Sequence, residues 1–240
     1  MNIKYATISK TGKRQNNEDA YKIIEMPEKS RWSGIICDGM GGHAMGEVAS
    51  QTVVDTISNF WNASADRPDE ESKIKEACLK ASKAIDERSD LLRSCQMGTT
   101  MVMASIENNK VTIAHIGDSR CYVFRKGYYD YDDITNTNKD HVVYQTKDHV
   151  RLDFGWEVVE KCFFSYHPEQ AEPDIVQFEI MPGDRILICS DGVYKCIAPE
   201  ILKTVTMEED KEPDEILDVI DWLCDRQGDD NYTAVLAKIE

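Results

Sequence analysis

Acidic residues at the ends of apolar, strand-like runs are the feature that most constrains how this chain can fold. Each lies in a short turn that contains glycine or asparagine: Asn17-Glu18-Asp19, Asp38-Gly39, Gly117-Asp118, Asp191-Gly192 and Asp230-Asn231. Together these turns span nearly the whole chain. Strand ends can meet at one edge of a sheet, so carboxylates in these positions can converge and bind divalent cations. The pattern therefore predicts a site that is assembled from distant segments.

Length and charge narrow the class of protein. The 240 residues fit one compact domain, and we predict a single domain over residues 1–240. The formal net charge is −16, and the sequence has no block of Lys or Arg. This balance argues against a nucleic-acid partner, because a phosphate backbone needs a basic surface.

The sequence also carries no sign of a membrane or secretory context. No apolar run approaches the ~20 residues that a membrane helix needs, and the N-terminus has no signal-peptide stretch. The eight cysteines are scattered without a CxxC pair. This usage is typical of reduced, buried thiols, so we expect a cytoplasmic protein without a membrane partner.

Hydrophobic periodicity predicts strands first, then two helices, further strands, two helices and a closing strand. Helices are expected over 46–61, 70–93, 199–205 and 214–227, with Asp69 as an N-cap. Residues 99–106 and 111–116 should form a hairpin that 121–125 continues. Residues 128–174 should be loops with short strands such as 142–146. Further strands are expected at 5–9, 20–25, 33–37, 175–180, 185–189 and 232–239. We predict an α+β fold in which helices lie outside two packed sheets.

Asp38, Asp191 and Asp230 adjoin strands, and hard oxygen donors of this kind suit magnesium or manganese rather than zinc. Gly39 has no side chain, so its own carbonyl can approach a cation. A water held between two such metals becomes a hydroxide nucleophile near neutral pH. Taken singly, each Asp-Gly or Asp-Asn pair is an ordinary turn. All five acidic turns together, at the ends of apolar strands, favour a metal site.

Arg14 lies four residues before Glu18. A guanidinium is suited to bidentate phosphate binding. On its own, Arg14 would be interpreted as a surface arginine that pairs with an acid.

These residues closely resemble the PPM family, the type 2C metal-dependent serine/threonine protein phosphatases, in their bacterial form. The resemblance runs from about residue 11 to residue 237. The matching segments are Arg14-x-x-Asn17-Glu18-Asp19, Asp38-Gly39-Met40-Gly41-Gly42-His43-Ala44-Met45-Gly46-Glu47, Gly98-Thr99-Thr100, Gly117-Asp118-Ser119-Arg120, Gly183-Asp184 with Ser190-Asp191-Gly192, and Asp230-Asn231-Tyr232-Thr233.

The resemblance implies an αββα four-layer sandwich with two central, mostly antiparallel sheets and a two-metal centre in the cleft between them. A water between the metals would attack phosphorus in line, without a phosphoenzyme. In such a site Asp38 would bridge both metals, Gly39 would offer its carbonyl, and Asp191 and Asp230 would complete the shell of one metal. Glu18 and Asp19 would hold the second metal directly or through waters. Arg14 would bind the substrate phosphate, and Asp118 would help to bind a third, weaker metal. The implied catalytic residues are Arg14, Asp38 and Asp191.

Two departures from the family pattern bear on mechanism and specificity. Met40 stands where some members have a histidine that is proposed as a general acid, and a thioether cannot donate a proton. His43 is better interpreted as a packing residue at a helix start, so a metal-bound water is the preferred proton source. Residues 150–174 should contain a flap beside the cleft, but they match no motif.

The resemblance thus implies a Mn²⁺- or Mg²⁺-dependent hydrolase of phosphoserine and phosphothreonine in targets of a serine/threonine kinase, and we expect a monomer. One alternative is an inactive binding module of the same fold, which would require loss of a metal ligand; none is missing. Another is a metal-dependent phosphohydrolase of a small phosphate ester, which the metal site alone does not exclude.

Overall fold

The computed structural model describes residues 2–40, 45–93, 95–128 and 141–240. The helices are α1 Met45–Ala63, α2 Glu70–Leu91, α3 Asp191–Tyr194, α4 Pro199–Thr206 and α5 Pro213–Gln227. The strands are β1 Ile3–Lys10, β2 Asp19–Met26, β3 Arg31–Met40, β4 Gly98–Thr99, β5 Met101–Glu107, β6 Lys110–Ile116, β7 Arg120–Phe124, β8 Val142–Gln145, β9 Val150–Asp153, β10 Trp156–Val159, β11 Phe163–Phe164, β12 Asp174–Glu179, β13 Arg185–Cys189 and β14 Tyr232–Ile239.

The strands form two antiparallel sheets and one separate ribbon. The smaller sheet has the order β1-β14-β13-β7-β8. The larger sheet has the order β11-β4-β3-β5-β6-β12, and β2 pairs with β3 outside this path. Within the described residues, strands β9 and β10 pair only with each other. First and last strands of the chain are therefore neighbours in one sheet, which brings segments from both ends of the sequence together.

Alternation along the central strand explains the layered packing. In β3, Ile35 and Cys37 pack under α1 and α2, whereas Ile36 packs into the core between the sheets. A strand that is buried on both faces needs apolar residues on both, which is why 34–37 reads as an uninterrupted apolar run. On the other side, Leu187 and Leu236 pack against α4 and α5. The layers are thus helix, sheet, sheet, helix, and the predicted αββα α+β architecture is confirmed.

The helices and most strands lie where periodicity predicts them. Asp69 caps α2 as expected, since its carboxylate accepts a hydrogen bond from the Ser72 N–H at 3.2 Å. None of the helices in the described part of the chain is long and apolar enough to span a membrane.

One strand was assigned to the wrong sheet. Residues 121–125 were expected to continue the hairpin of 99–116, but β7 pairs with β13 and β8 in the other sheet. The chain changes sheets at Gly117, which has a φ of +101° that glycine adopts without strain. The ribbon β9–β10 and the one-turn helix α3 were not predicted. Part of the predicted loop region, 129–140, lies outside the described residues.

His149 ties the base of the β9–β10 ribbon to the sheet-crossing turn. Its backbone N–H donates to the Gly117 carbonyl at 3.0 Å, and its Nδ1 accepts from the Gly117 N–H at 3.1 Å. Its ring also stacks on that of buried His115 at 4.5 Å. Because Nδ1 is the acceptor, the neutral ring carries its proton on Nε2, which lies 3.2 Å from Asp174 Oδ2.

His115, His149 and Asp174 are of residue types that bind metals, but the proton on His149 Nε2 prevents that atom from acting as a ligand. Among the described residues, His115, His149 and Asp174 are the one set of three ligand-type side chains whose donor atoms all lie within 4.8 Å of one another. A protonated Nε2 offers no lone pair to a cation. The set is therefore better explained as a structural tether.

We predict that His149→Phe keeps the ring stacking but destabilises the protein. The substitution leaves the buried Gly117 N–H without its acceptor, so the free energy of unfolding should fall by about 1–3 kcal/mol in urea denaturation. His167→Phe is the matched control, because the His167 side chain is half exposed. It should change the free energy of unfolding by less than about 0.5 kcal/mol. Equal effects of the two substitutions would contradict the tether.

Candidate metal centre

The predicted site residues meet at one cavity of about 360 Å³. It contains seven of the eight: Arg14, Glu18, Asp38, Gly39, Asp118, Asp191 and Asp230. The eighth, Asp19, lies directly opposite Asp38 in the register of β2 and β3. The carboxylates line an open cleft and do not form a closed shell. Segments from the first, middle and last parts of the chain are thus brought to one place.

The Gly98-Thr99-Thr100 segment holds the end of β3 that carries Asp38. The Asp38 N–H donates to Thr100 Oγ1 at 3.0 Å, while its carbonyl accepts from the Thr100 N–H at 2.9 Å and from Thr99 Oγ1 at 2.8 Å. All the backbone polar groups of Asp38 therefore have partners. This leaves the carboxylate as the group that Asp38 offers to the cavity.

Asn231 connects the C-terminal acidic turn to the N-terminal one. Its Oδ1 accepts from the Glu18 N–H at 2.9 Å. Its Nδ2 donates to the carbonyls of Thr11 and Asn16, each at 2.7 Å. Three hydrogen bonds from one amide fix Asp230 and Glu18 on the same rim, although more than 200 residues separate them. The sequence showed Asn231 only as part of a motif.

Ser190 makes the corresponding link beneath the cavity. Its hydroxyl donates to Asp19 Oδ2 at 2.7 Å and accepts from the Thr233 N–H at 2.9 Å. Asp19 is only 9% exposed, so this hydrogen bond compensates part of the desolvation of its carboxylate. Ser190 thereby joins β13, β14 and β2 at the point where the two sheets are closest to the site.

Glycine is required at position 39 for a reason that the sequence did not reveal. A Cβ atom there would lie 2.1 Å from the Gly46 carbonyl oxygen and 2.6 Å from the Glu18 carbonyl oxygen. The Gly39 N–H donates to that same Glu18 carbonyl at 3.0 Å. The backbone of Gly39 therefore packs directly between the acidic turn and the start of α1.

Burial, together with repulsion from neighbouring carboxylates, raises the pKa values of Asp38, Asp19 and Asp118. Burial, followed by the charges of Asp19, Asp191 and Asp118, raises the pKa of Asp38 well above its ordinary range. Burial also raises the pKa of Asp19 to about 7, although hydrogen bonds from Ser190 and Thr233 oppose the shift. Burial and then Asp191 raise the pKa of Asp118. A set of buried like charges of this kind is stabilised by bound cations.

The donor set fits a hard divalent cation. The cavity presents carboxylate and backbone oxygens, and among the residues that line it there is neither cysteine nor histidine. Oxygen ligands of this kind suit magnesium, manganese or calcium and not zinc. Residues 41–44, which include the predicted packing residue His43, lie outside the described part of the chain.

Two cationic side chains flank the acidic cluster. Arg14 Nη2 lies 2.7 Å from Asp230 Oδ2, and its Nε donates to the Asp229 carbonyl at 3.2 Å. On the opposite side, Lys195 Nζ lies 2.6 Å from Asp191 Oδ2 and 3.6 Å from Asp118 Oδ2. Arg14 was a predicted site residue. Lys195 was missed, and the only signal was its i+4 spacing from Asp191.

The Gly117-Asp118-Ser119-Arg120 turn is fixed from both sides. Arg120 forms a bidentate pair with Asp148, with its Nε 2.9 Å from Oδ1 and its Nη2 2.7 Å from Oδ2. The Arg120 guanidinium also lies 3.6 Å from the centre of the Tyr194 ring, and the Tyr194 hydroxyl donates to the Asp118 carbonyl at 3.0 Å. Asp118 is therefore held next to α3.

The segment 150–174, in which a flap is expected, contains the β9–β10 ribbon. Val150, Glu157 and Val159 of the β9–β10 ribbon line the cavity. At the tip of the ribbon, Phe154 and Gly155 both have positive φ, which is typical of a two-residue hairpin turn.

Comparisons with known proteins identify relatives of this chain. The serine/threonine protein phosphatase PstP of Mycobacterium tuberculosis is 31% identical over an alignment 257 residues long. The alignment covers 99% of this chain and 45% of PstP. The chain thus spans less than half the length of that relative. A putative protein phosphatase 2C-type of Streptococcus pyogenes is 28% identical, with 95% of this chain and 94% of the relative covered.

Solved structures show the same fold. The catalytic domain of PstP in complex with two manganese ions has a TM-score of 0.78 and 27% identity, with 99% of each chain covered. The serine/threonine phosphatase of S. agalactiae has a TM-score of 0.83 and 23% identity over the whole of both chains, which shows the fold alone. A family model described as protein phosphatase 2C matches residues 9–239. This chain belongs to the protein phosphatase 2C family.

Proposed function

We propose that this chain is a Mn²⁺- or Mg²⁺-dependent phosphatase that hydrolyses phosphoserine and phosphothreonine in proteins. The observation that carries the proposal is the convergence of carboxylates from five separate segments on one cavity, with an arginine on its rim. Membership of the protein phosphatase 2C family supports the same activity. The two manganese ions of the PstP catalytic domain support a two-cation site.

In the proposed site, Asp38 and the Gly39 carbonyl would be ligands of the cations. Asp191 and Asp230 would hold one cation, and Glu18, with Asp19 beneath it, would hold the other. A pair of divalent cations supplies an activated water and neutralises the charge of a phosphate. Without that neutralisation the acidic cavity would repel its own substrate.

Arg14 is suited to bind the substrate phosphate. Its contacts with Asp230 and the Asp229 carbonyl use Nε and Nη2, which is part of the five-donor guanidinium fork. The Arg14 side chain is 58% exposed, so a ligand can reach it from solvent. Asp230 thereby orients the arginine, and positioning of this kind lowers the entropic cost of holding a phosphate in line.

The β9–β10 ribbon would limit water access and contact the substrate chain. Val150 and Val159 present apolar surface to the cavity, whereas Glu157 adds a further acid to its wall. Phosphorylated proteins that are targets of a serine/threonine kinase are the proposed substrates. A single domain, a monomeric state and a cytoplasmic location stay predictions.

We predict that Asp38→Asn and Asp191→Asn each lower kcat/KM for a phosphothreonine peptide at saturating Mn²⁺ by at least about a hundredfold. Each removes a charged oxygen ligand while the side-chain volume is kept. Asp66→Asn is the control, because the Asp66 side chain is 97% exposed and pairs with Lys29 outside the cavity. It should leave turnover unchanged.

Wild-type protein that releases no phosphate from phosphopeptides with either Mn²⁺ or Mg²⁺ would contradict the proposed function. Turnover of small phosphate esters with none of phosphopeptides would instead identify a small-molecule phosphohydrolase. Parallel assays with a panel of phosphopeptides and small esters separate these results.

Arg14→Ala should act mainly on substrate affinity. Loss of a charge-assisted phosphate contact is expected to raise KM for the phosphopeptide by about tenfold or more, with a smaller effect on kcat. Arg67→Ala is the matched control, because Arg67 is a similarly exposed arginine that forms a 2.6 Å pair with Glu76 away from the cavity. If Arg14→Ala changes only kcat and leaves KM as in wild type, Arg14 does not bind the ground-state phosphate.

A further inference from the structure

The ammonium group of Lys195 occupies the position at which a third cation would bind. Asp118 is the residue that the family resemblance assigns to a third, weaker metal. The Lys195 ammonium lies 3.6 Å from the Asp118 carboxylate and 2.6 Å from that of Asp191. A divalent cation shared by these two carboxylates would have to occupy nearly the same space as the ammonium group.

The local backbone directs Lys195 to this position. Asp191 is the first residue of α3, and Lys195 follows its last residue, so the two lie four positions apart on one face of a helical turn. The Lys195 N–H donates to the Asp191 carbonyl at 2.9 Å. The preceding residue, Tyr194, is fixed by the Arg120 stacking and by its hydrogen bond to the Asp118 carbonyl.

The surroundings of the ammonium group favour a tight contact. The Asp118 side chain is 9% exposed and that of Asp191 is 18% exposed. Partly buried ion pairs are screened less than exposed ones, so both the attraction of Lys195 to these acids and its repulsion of a cation are strong. The Lys195 side chain is itself 49% exposed, so it is the burial of its two acid partners that sets this contact apart. An i,i+4 pair in which the acid is exposed as well contributes little.

We propose that Lys195 takes the place of a third metal in this protein, so that the chain binds two divalent cations and supplies the remaining positive charge itself. This inference rests on the proposed two-cation site. Lys195 neutralises Asp118 and Asp191 at any metal concentration. The protein should therefore reach full activity as soon as two cations are bound, and it should gain nothing from further metal.

The test counts bound Mn²⁺. Metal-free protein is titrated with MnCl₂, and free Mn²⁺ is followed by the electron paramagnetic resonance signal of the aquo ion. Wild type should bind two ions. Lys195→Met, which keeps an unbranched side chain one atom shorter and removes the charge, should bind a third ion at least about tenfold more tightly than any further ion binds to wild type. Lys195→Arg should bind two.

A second substitution locates the additional ion. Lys195→Met combined with Asp118→Asn should return the count to two, whereas Asp118→Asn alone should leave the wild-type count of two unchanged. The matched control is Lys75→Met, because Lys75 forms an i,i+4 pair with Glu71 at the same 2.6 Å distance and with a similarly exposed side chain. It should bind two ions.

Phosphopeptide turnover gives an independent readout. Wild-type turnover should level off once two ions are bound, whereas that of Lys195→Met should rise again as the third ion binds. The inference is overturned if wild type binds a third ion that Asp118→Asn removes, or if Lys195→Met still binds two. Either result leaves the proposed phosphatase function intact. Wild type that binds no Mn²⁺ would instead overturn the two-cation site, and the inference with it.

Discussion

Repulsion among buried carboxylates is the physical constraint on which this structure depends. Asp19 and Asp38 face each other across two paired strands, and burial, followed by the charges of Asp19, Asp191 and Asp118, raises the pKa of Asp38. Charges of one sign separate unless the backbone around them is fixed. Here neutral side chains supply that support, because Ser190, Thr100 and Asn231 each form hydrogen bonds that join an acidic segment to a different part of the fold. The cluster can then hold cations without rearranging the sheets.

The two-sheet architecture explains why the site draws on the whole sequence. Asp38 and Asp19 come from a hairpin of the larger sheet, whereas Asp191 and Asp230 adjoin neighbouring strands of the smaller one. Packing the sheets face to face brings these strand ends to a common cleft. A change in the inter-sheet core would therefore alter the spacing of these carboxylates without replacing any of them.

Local sequence patterns predicted those features of the structure that depend on residues close together in the chain. Periodicity located α1, α2 and most strands, and the Asp-Gly and Asp-Asn turns located the acidic rim. Pairing partners are not local, so β7 was assigned to the wrong sheet: nothing in residues 121–125 shows that Gly117 carries the chain across. The ribbon β9–β10 has too few residues to show a period. Lys195 was missed for a related reason, since a one-turn helix gives no periodic pattern and only the folded turn brings Lys195 to Asp191.

Arg14 and Lys195 make the two flanks of the cluster chemically different. Arg14 is a planar fork at an exposed rim, and part of that fork is bonded to Asp230, so it can exchange or share partners with a phosphate. Lys195 is a compact charge between two partly buried acids, where giving up its partners would leave them unneutralised. The cation whose acid partner is itself 37% exposed is thus suited to a ligand that comes and goes. The cation held by two largely buried acids is suited to permanent neutralisation. If Arg14 binds the substrate phosphate as proposed, substrate would approach from the Arg14 side, while Lys195 neutralises the Asp118 side.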